Sequence, residues 1–219
     1  MKKINFQLER LFNIMNKKKF FLLQIFTNLI FQILVTFVIY YNVTIDIIKN
    51  RFSLILLILI QFGIIIMFST FKLPIFLKFL LMTLFSIIWG LIFISLKNDV
   101  PPEVIRTALF GALGIFVGIF IFSLLLIVFG IYIDYKYGLI LLGLLLLLII
   151  VRIVLFVMNK YQRVHKGMAV ISIILFSLFI IYDTHNILLY SDTNDPIGAS
   201  MDYYLDIINI FVNMISFES

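Results

Sequence analysis

Ala169 to Ser216 reads AVISIILFSLFIIYDTHNILLYSDTNDPIGASMDYYLDIINIFVNMIS. Two apolar segments flank a polar turn, and each carries an aspartate, Asp183 in the first and Asp206 in the second. An ionised side chain at the centre of a bilayer costs about 2.5 to 3.5 kcal/mol or more. Both carboxylates therefore need partners or water, and this is where the chain concentrates its chemistry.

The rest of the chain is hydrocarbon-compatible. At 63% hydrophobic and 13% charged residues, with a mean hydropathy of +1.19, it lies far from the composition of soluble domains, in which about a quarter of residues are charged. This predicts an integral membrane protein. The absence of cysteine excludes disulfides and thiolate chemistry, and two histidines, His165 and His185, exclude a His-rich metal cage. A net charge of +6 fits lysine-rich loops and a basic N-terminus, with no nucleic-acid partner.

Read in order, residues 1–19 form a basic cytosolic segment with Lys2, Lys3, Arg10, Lys17, Lys18 and Lys19 against one acid, Glu9. Phe6, Leu8, Leu11, Phe12 and Met15 are spaced for one face of a short amphipathic helix on an anionic membrane surface; a plain positive-inside anchor is the other reading. Residues 20–219 form a single transmembrane domain. Its segments are Phe20 to Tyr41, Phe52 to Phe71, Ile75 to Leu96, Val104 to Gly130, Tyr137 to Met158, Met168 to Tyr190 and a short, polar Ser200 to Ser216. Pro101 and Pro102 precede the fourth, where a helix start tolerates proline. Basic residues divide almost evenly between the two sides, so orientation rests on the N-terminal cluster.

On the last segment Asp202, Asp206, Asn209 and Asn213 recur at helical spacing and make one polar stripe. Tyr204, Ile208, Phe211 and Ile215 make the opposite face, suited to lipid or to packing. On the sixth segment Ser172, Phe179, Asp183 and Asn186 share a face. An antiparallel hairpin through Ser191 to Ala199 would bring Asp183 and Asp206 to comparable depth. Two carboxylates close together in low dielectric do not both ionise cheaply, so they tend to share a proton and sense pH. The same oxygens can hold a hard cation such as Ca²⁺, with neutral oxygens from Asn209, Asn186 and Thr184. The plain alternative is that both aspartates cap helix ends or pair with interfacial lysines.

Ile181-Tyr182-Asp183-Thr184-His185, followed by Asp202-Tyr203-Tyr204-Leu205-Asp206-Ile207-Ile208-Asn209-Ile210-Phe211, resembles the C-terminal signature of the transmembrane Bax inhibitor motif family, which includes the lifeguard and Golgi anti-apoptotic proteins. Pro102 to Phe122 and Ile133-Asp134-Tyr135 are more loosely similar. The resemblance implies an all-α bundle, six spanning helices around a short polar seventh. It implies a pH-sensitive Ca²⁺ leak that lowers store Ca²⁺ and suppresses apoptosis, with Asp183 and Asp206 as the proton sensor and transient Ca²⁺ site. It implies no enzymatic activity and no cofactor beyond Ca²⁺ as the permeant ion. The partners it suggests are the lipid bilayer, Ca²⁺ and H⁺, and apoptosis regulators in the membrane. Endoplasmic reticulum or Golgi follows for a eukaryotic or viral source, and plasma membrane for a bacterial one.

The chain departs from that family in two places. Bacterial relatives carry a basic latch in the second span, where this chain has Gln61 and two hydroxyls near its end. Arg152, the one basic residue well inside a span, either substitutes as the latch or snorkels toward Asn159. His185 stands where many members have glutamine and reads as an interfacial residue with a structural or a proton-sensing role. Two other classes compete. One is a non-conducting membrane protein that modulates cell death through partners; the other is an intramembrane aspartyl protease, suggested by Tyr182-Asp183 but lacking Gly-x-Gly-Asp around Asp206.

Overall fold

The basic N-terminal segment folds as α1 (Lys2–Lys17) in the computed structural model. The apolar runs follow as α2 (Lys19–Asn42), α3 (Arg51–Thr70), α4 (Ile75–Ile94), α5 (Pro102–Val128), α6 (Tyr135–Val157) and α7 (Tyr161–His185), and α8 (Pro196–Glu218) closes the chain. The structure describes residues 2–43, 51–95, 100–158, 161–191 and 194–218. The expected span end at Leu96, the Asn159 end named for a snorkelling Arg152, and the turn residues Asp192 and Thr193 lie outside them. Among the described residues no strand forms, and 6 helices, α2 to α7, are long and apolar enough to cross a membrane.

Local chemistry sets the helix ends. Pro102 occupies the first position of α5, where its missing N–H is not needed. Gly130, at φ 79, ends α5: its N–H donates to Ile127 O at 3.0 Å and that of Ile131 to Leu126 O at 2.9 Å, the pattern of a glycine-terminated helix. α8 begins at Pro196, four residues earlier than Ser200, the start expected from apolarity. Asp195 Oδ1 accepts from the Gly198 N–H at 2.9 Å, an N-cap followed by proline, and Lys78 pairs with Asp195 Oδ2. The sixth apolar segment is not one continuous α-helix. After His185 it widens into a π-helical turn, Asn186–Tyr190, closed by the Ser191 N–H on Asn186 O at 2.7 Å.

The chain divides into two compact units. In the first, α1, α5, α6, α7 and α8 from Leu205 onward come together, with α7 packed on both α5 and α6 and α1 on α5 and the π turn. Leu141, Leu148 and Leu175 form a core between α6 and α7. A side chain at Gly138 would collide with the Tyr182 ring, so this glycine admits that ring against α6. The second unit holds α2, α3, α4 and α8 up to Tyr204. There a Cβ at Gly90 would lie 2.6 Å from Thr36 O, the mark of a close backbone approach between α4 and α2.

Candidate functional site

Asp183 is 8% exposed on α7 and Asp206 4% exposed on α8, both within the first unit. The rest of the expected stripe does not share one environment. Asp202 is exposed, Asn209 half-buried and Asn213 buried. The opposite face of α8, Tyr204, Ile208, Phe211 and Ile215, is also buried, which resolves the choice between lipid and packing in favour of packing.

The stripe's amides turn back on their own helix. Asn209 Nδ2 donates to Leu205 O and Asn213 Nδ2 to Asn209 O, each at 2.7 Å. One N–H of each amide is used in this way, and the Asn213 side-chain oxygen meets another element. Thr184, fully buried, likewise donates to Ile180 O at 2.7 Å. Asn186 opens the π turn and is half-buried.

Arg152 points inward rather than snorkelling. Nη2 donates to Ser172 Oγ at 2.6 Å and to Asn213 Oδ1 at 2.5 Å, and the Ser172 hydroxyl in turn donates a hydrogen bond to Met168 O at 2.8 Å. The guanidinium thus joins α6, α7 and α8. Charge-assisted hydrogen bonds of this kind offset the loss of water. Asn213 is seven residues beyond Asp206, about 10 Å along the helix axis. Ser172 is eleven residues before Asp183, about 16 Å along α7. That spacing puts the Arg152 cluster toward the opposite end of the unit from the first aspartate.

His185, at the end of α7, is fully enclosed by the protein. Nδ1 lies 3.0 Å from Ser123 Oγ and 2.8 Å from Ile181 O, and Nε2 lies 3.2 Å from Ile131 O. The ring therefore fastens the last turn of α7 to the glycine-terminated end of α5. Ser123 gave no sequence signal, being a lone hydroxyl in an apolar run.

The second unit holds a polar ladder the sequence reading passed over. Asn28, Gln32 and Thr36 recur every four residues on α2 and are all buried. Asn28 Nδ2 reaches Ser200 Oγ at 2.5 Å and Met82 Sδ at 3.0 Å. Gln32 Nε2 donates to Asn28 Oδ1 at 3.2 Å and Thr83 Oγ1 at 3.1 Å, and Thr36 Oγ1 lies 2.6 Å from Tyr204 OH. Their spacing was the available signal. Gln61, where the latch was sought, is buried, and its amide nitrogen has no hydrogen-bond partner among the described residues.

A family profile described as "Inhibitor of apoptosis-promoting Bax1" matches residues 18–217. The chain belongs to the Bax inhibitor motif family. With six apolar helices of spanning length, this Bax inhibitor family member is an integral membrane protein. No individual curated protein matches the chain. The family match extends the resemblance seen in the last fifty or so residues to nearly the whole chain, α2 to α8. Among the described residues no three His, Asp or Glu side chains converge as a metal cluster.

Proposed function

We propose that this Bax inhibitor family member is a pH-sensitive Ca²⁺ leak that lowers store Ca²⁺ and suppresses apoptosis, with conductance governed by protonation of Asp183 and Asp206. The observation that carries this reading is the burial of both carboxylates, at 8% and 4% exposure, on two helices of one compact unit. Buried carboxylates in one environment hold a shared proton more readily than two charges. A cation entering between the helices supplies the positive charge instead, and hard oxygen ligands suit Ca²⁺.

Two carboxylates with neutral amide and hydroxyl oxygens from Asn209, Asn186 and Thr184 make a weak ligand set. Such a set lets a divalent ion leave as well as enter, as conduction requires. Arg152 acts on the far end of the stripe, holding Asn213 and so the position of α8, which makes it a latch on the helix rather than on the aspartates.

The test is Ca²⁺ flux into dye-loaded liposomes carrying wild type, Asp183→Asn or Asp206→Asn, across roughly pH 6 to 8. Each substitution should flatten the pH profile of the wild type. No flux at all, or three identical and pH-independent profiles, would rule the leak out.

A further inference from the structure

We infer that the first unit carries a binding site for the phosphoryl headgroup of an anionic phospholipid, in a cavity of about 380 Å³ where α1, the α5–α6 connection and the π turn meet. The leak reading plays no part in this assignment. Arg10, Lys17 and Lys18 bring three cations to the cavity, Tyr132 and Tyr190 stand on its walls, Ile14 contributes apolar lining, and among the described residues no acid lines it.

Two of the cations are held in place by the fold. Arg10 Nη1 donates to Tyr132 OH at 3.0 Å, and its guanidinium carbon lies 5.5 Å from the centre of that ring. Tyr132 OH in turn donates to Gln7 Oε1 at 3.0 Å. A guanidinium carries five N–H donors in a planar fork suited to phosphate oxygens, and one of Arg10's is spent here. Lys18 Nζ donates to Ile187 O and Ser191 O, each at 2.8 Å, which anchors the π turn as the far wall. Lys17 is exposed at the lip. Glu9 lines a neighbouring cleft of about 300 Å³ along with Arg10 and Lys17, so the cavity keeps an excess of positive charge.

Position selects a lipid. The π turn that walls the cavity closes the apolar stretch of α7 at Tyr190, so the cavity stands at the edge of that stretch. α1 is itself amphipathic: Leu11 is buried, while Phe6 and Phe12 are 64% and 72% exposed. A helix with free aromatic side chains beside basic groups settles at the boundary between headgroups and acyl chains. Tyrosines are the residues of that layer, and basic pockets there take anionic headgroups.

Native mass spectrometry of the full chain in detergent, titrated with phosphatidylserine or phosphatidylcholine, tests the site. Wild type should retain phosphatidylserine selectively. Arg10→Gln with Lys17→Gln should lose it roughly thirtyfold, at about tenfold or less per cation in an interfacial field. Lys19→Gln with Lys136→Gln removes the same charge from exposed positions outside the cavity and should change binding less than about threefold. Lys17→Glu, which breaks no hydrogen bond described above, should also lose the lipid while melting like wild type, and so decides the matter if the double variant is misfolded. Equal losses in the two double variants would overturn the site in favour of diffuse surface charge. Equal retention of phosphatidylcholine would overturn it as well. Displacement of the lipid by millimolar-range inorganic phosphate, with no headgroup preference, would reassign the cavity to free phosphate and overturn the lipid.

Discussion

Arg152 carries a charge into an apolar helix, and its two short hydrogen bonds to Ser172 and Asn213 are the physical compensation. Replacing it with methionine should destabilise the protein by about 1.5 to 3 kcal/mol, the range for hydrogen bonds to a charged group. Arg152→Lys should recover only part, because an ammonium lacks the planar fork. A double-mutant cycle with Asn213→Ala, read as melting in detergent, should show coupling of about 0.5 to 3 kcal/mol; strict additivity would mean that the contact contributes nothing. Arg152 was singled out from the sequence because it is the lone cation in a span, yet its direction was not legible there. Snorkelling and inward pairing differ only in what lies beside the side chain, and Ser172 and Asn213 are remote in sequence. His185 follows the same logic. Its place at the end of an apolar run was legible, but not that Ser123 and the end of α5 enclose it.

Helix ends and helix approaches are decided by small groups of residues. Gly90→Ala should cost about 1 to 3 kcal/mol, because the new methyl meets Thr36 O at 2.6 Å and the Ile39 Cβ at 2.7 Å and the helices must part. Gly114→Ala meets nothing within 4 Å and should be neutral or stabilising by up to about 1 kcal/mol of helix propensity. If the two variants melt alike, the α2–α4 approach is looser than described. At the start of α8, Asp195 has two roles, as N-cap and as partner of Lys78. Asp195→Asn keeps the cap and gives up the charge, whereas Asp195→Ala gives up both. The alanine variant should therefore melt lower by about 1 kcal/mol more, the usual value of a cap, and equal melting would deny Asp195 its capping role. The proline after Asp195 was a readable start signal that apolarity alone placed too late. The π turn had no such signal, since its widening depends on what packs on it.

For the molecule as a whole, the liposome and cellular readouts separate. If the leak carries the protection, Asp206→Asn should reduce both Ca²⁺ flux and survival of cells under an apoptotic stimulus. Protection that persists in the variant after flux is gone would support the partner-binding alternative instead. Hydropathy and the Asp-bearing signature were enough to read a helical membrane protein, its six apolar spans and its family, because long apolar runs have few other stable states in a bilayer and the signature is local. The same sequence marked Asp183 and Asp206 as costly. It did not reveal the Asn28, Gln32 and Thr36 ladder as a buried network, nor the basic cavity beside α1, although all their residues were visible. Spacing along one helix states which residues share a face. Only tertiary structure decides what that face meets, because hydrogen-bond partners such as Thr36 and Tyr204, or Arg10 and Tyr132, are brought together by packing between segments far apart in the chain.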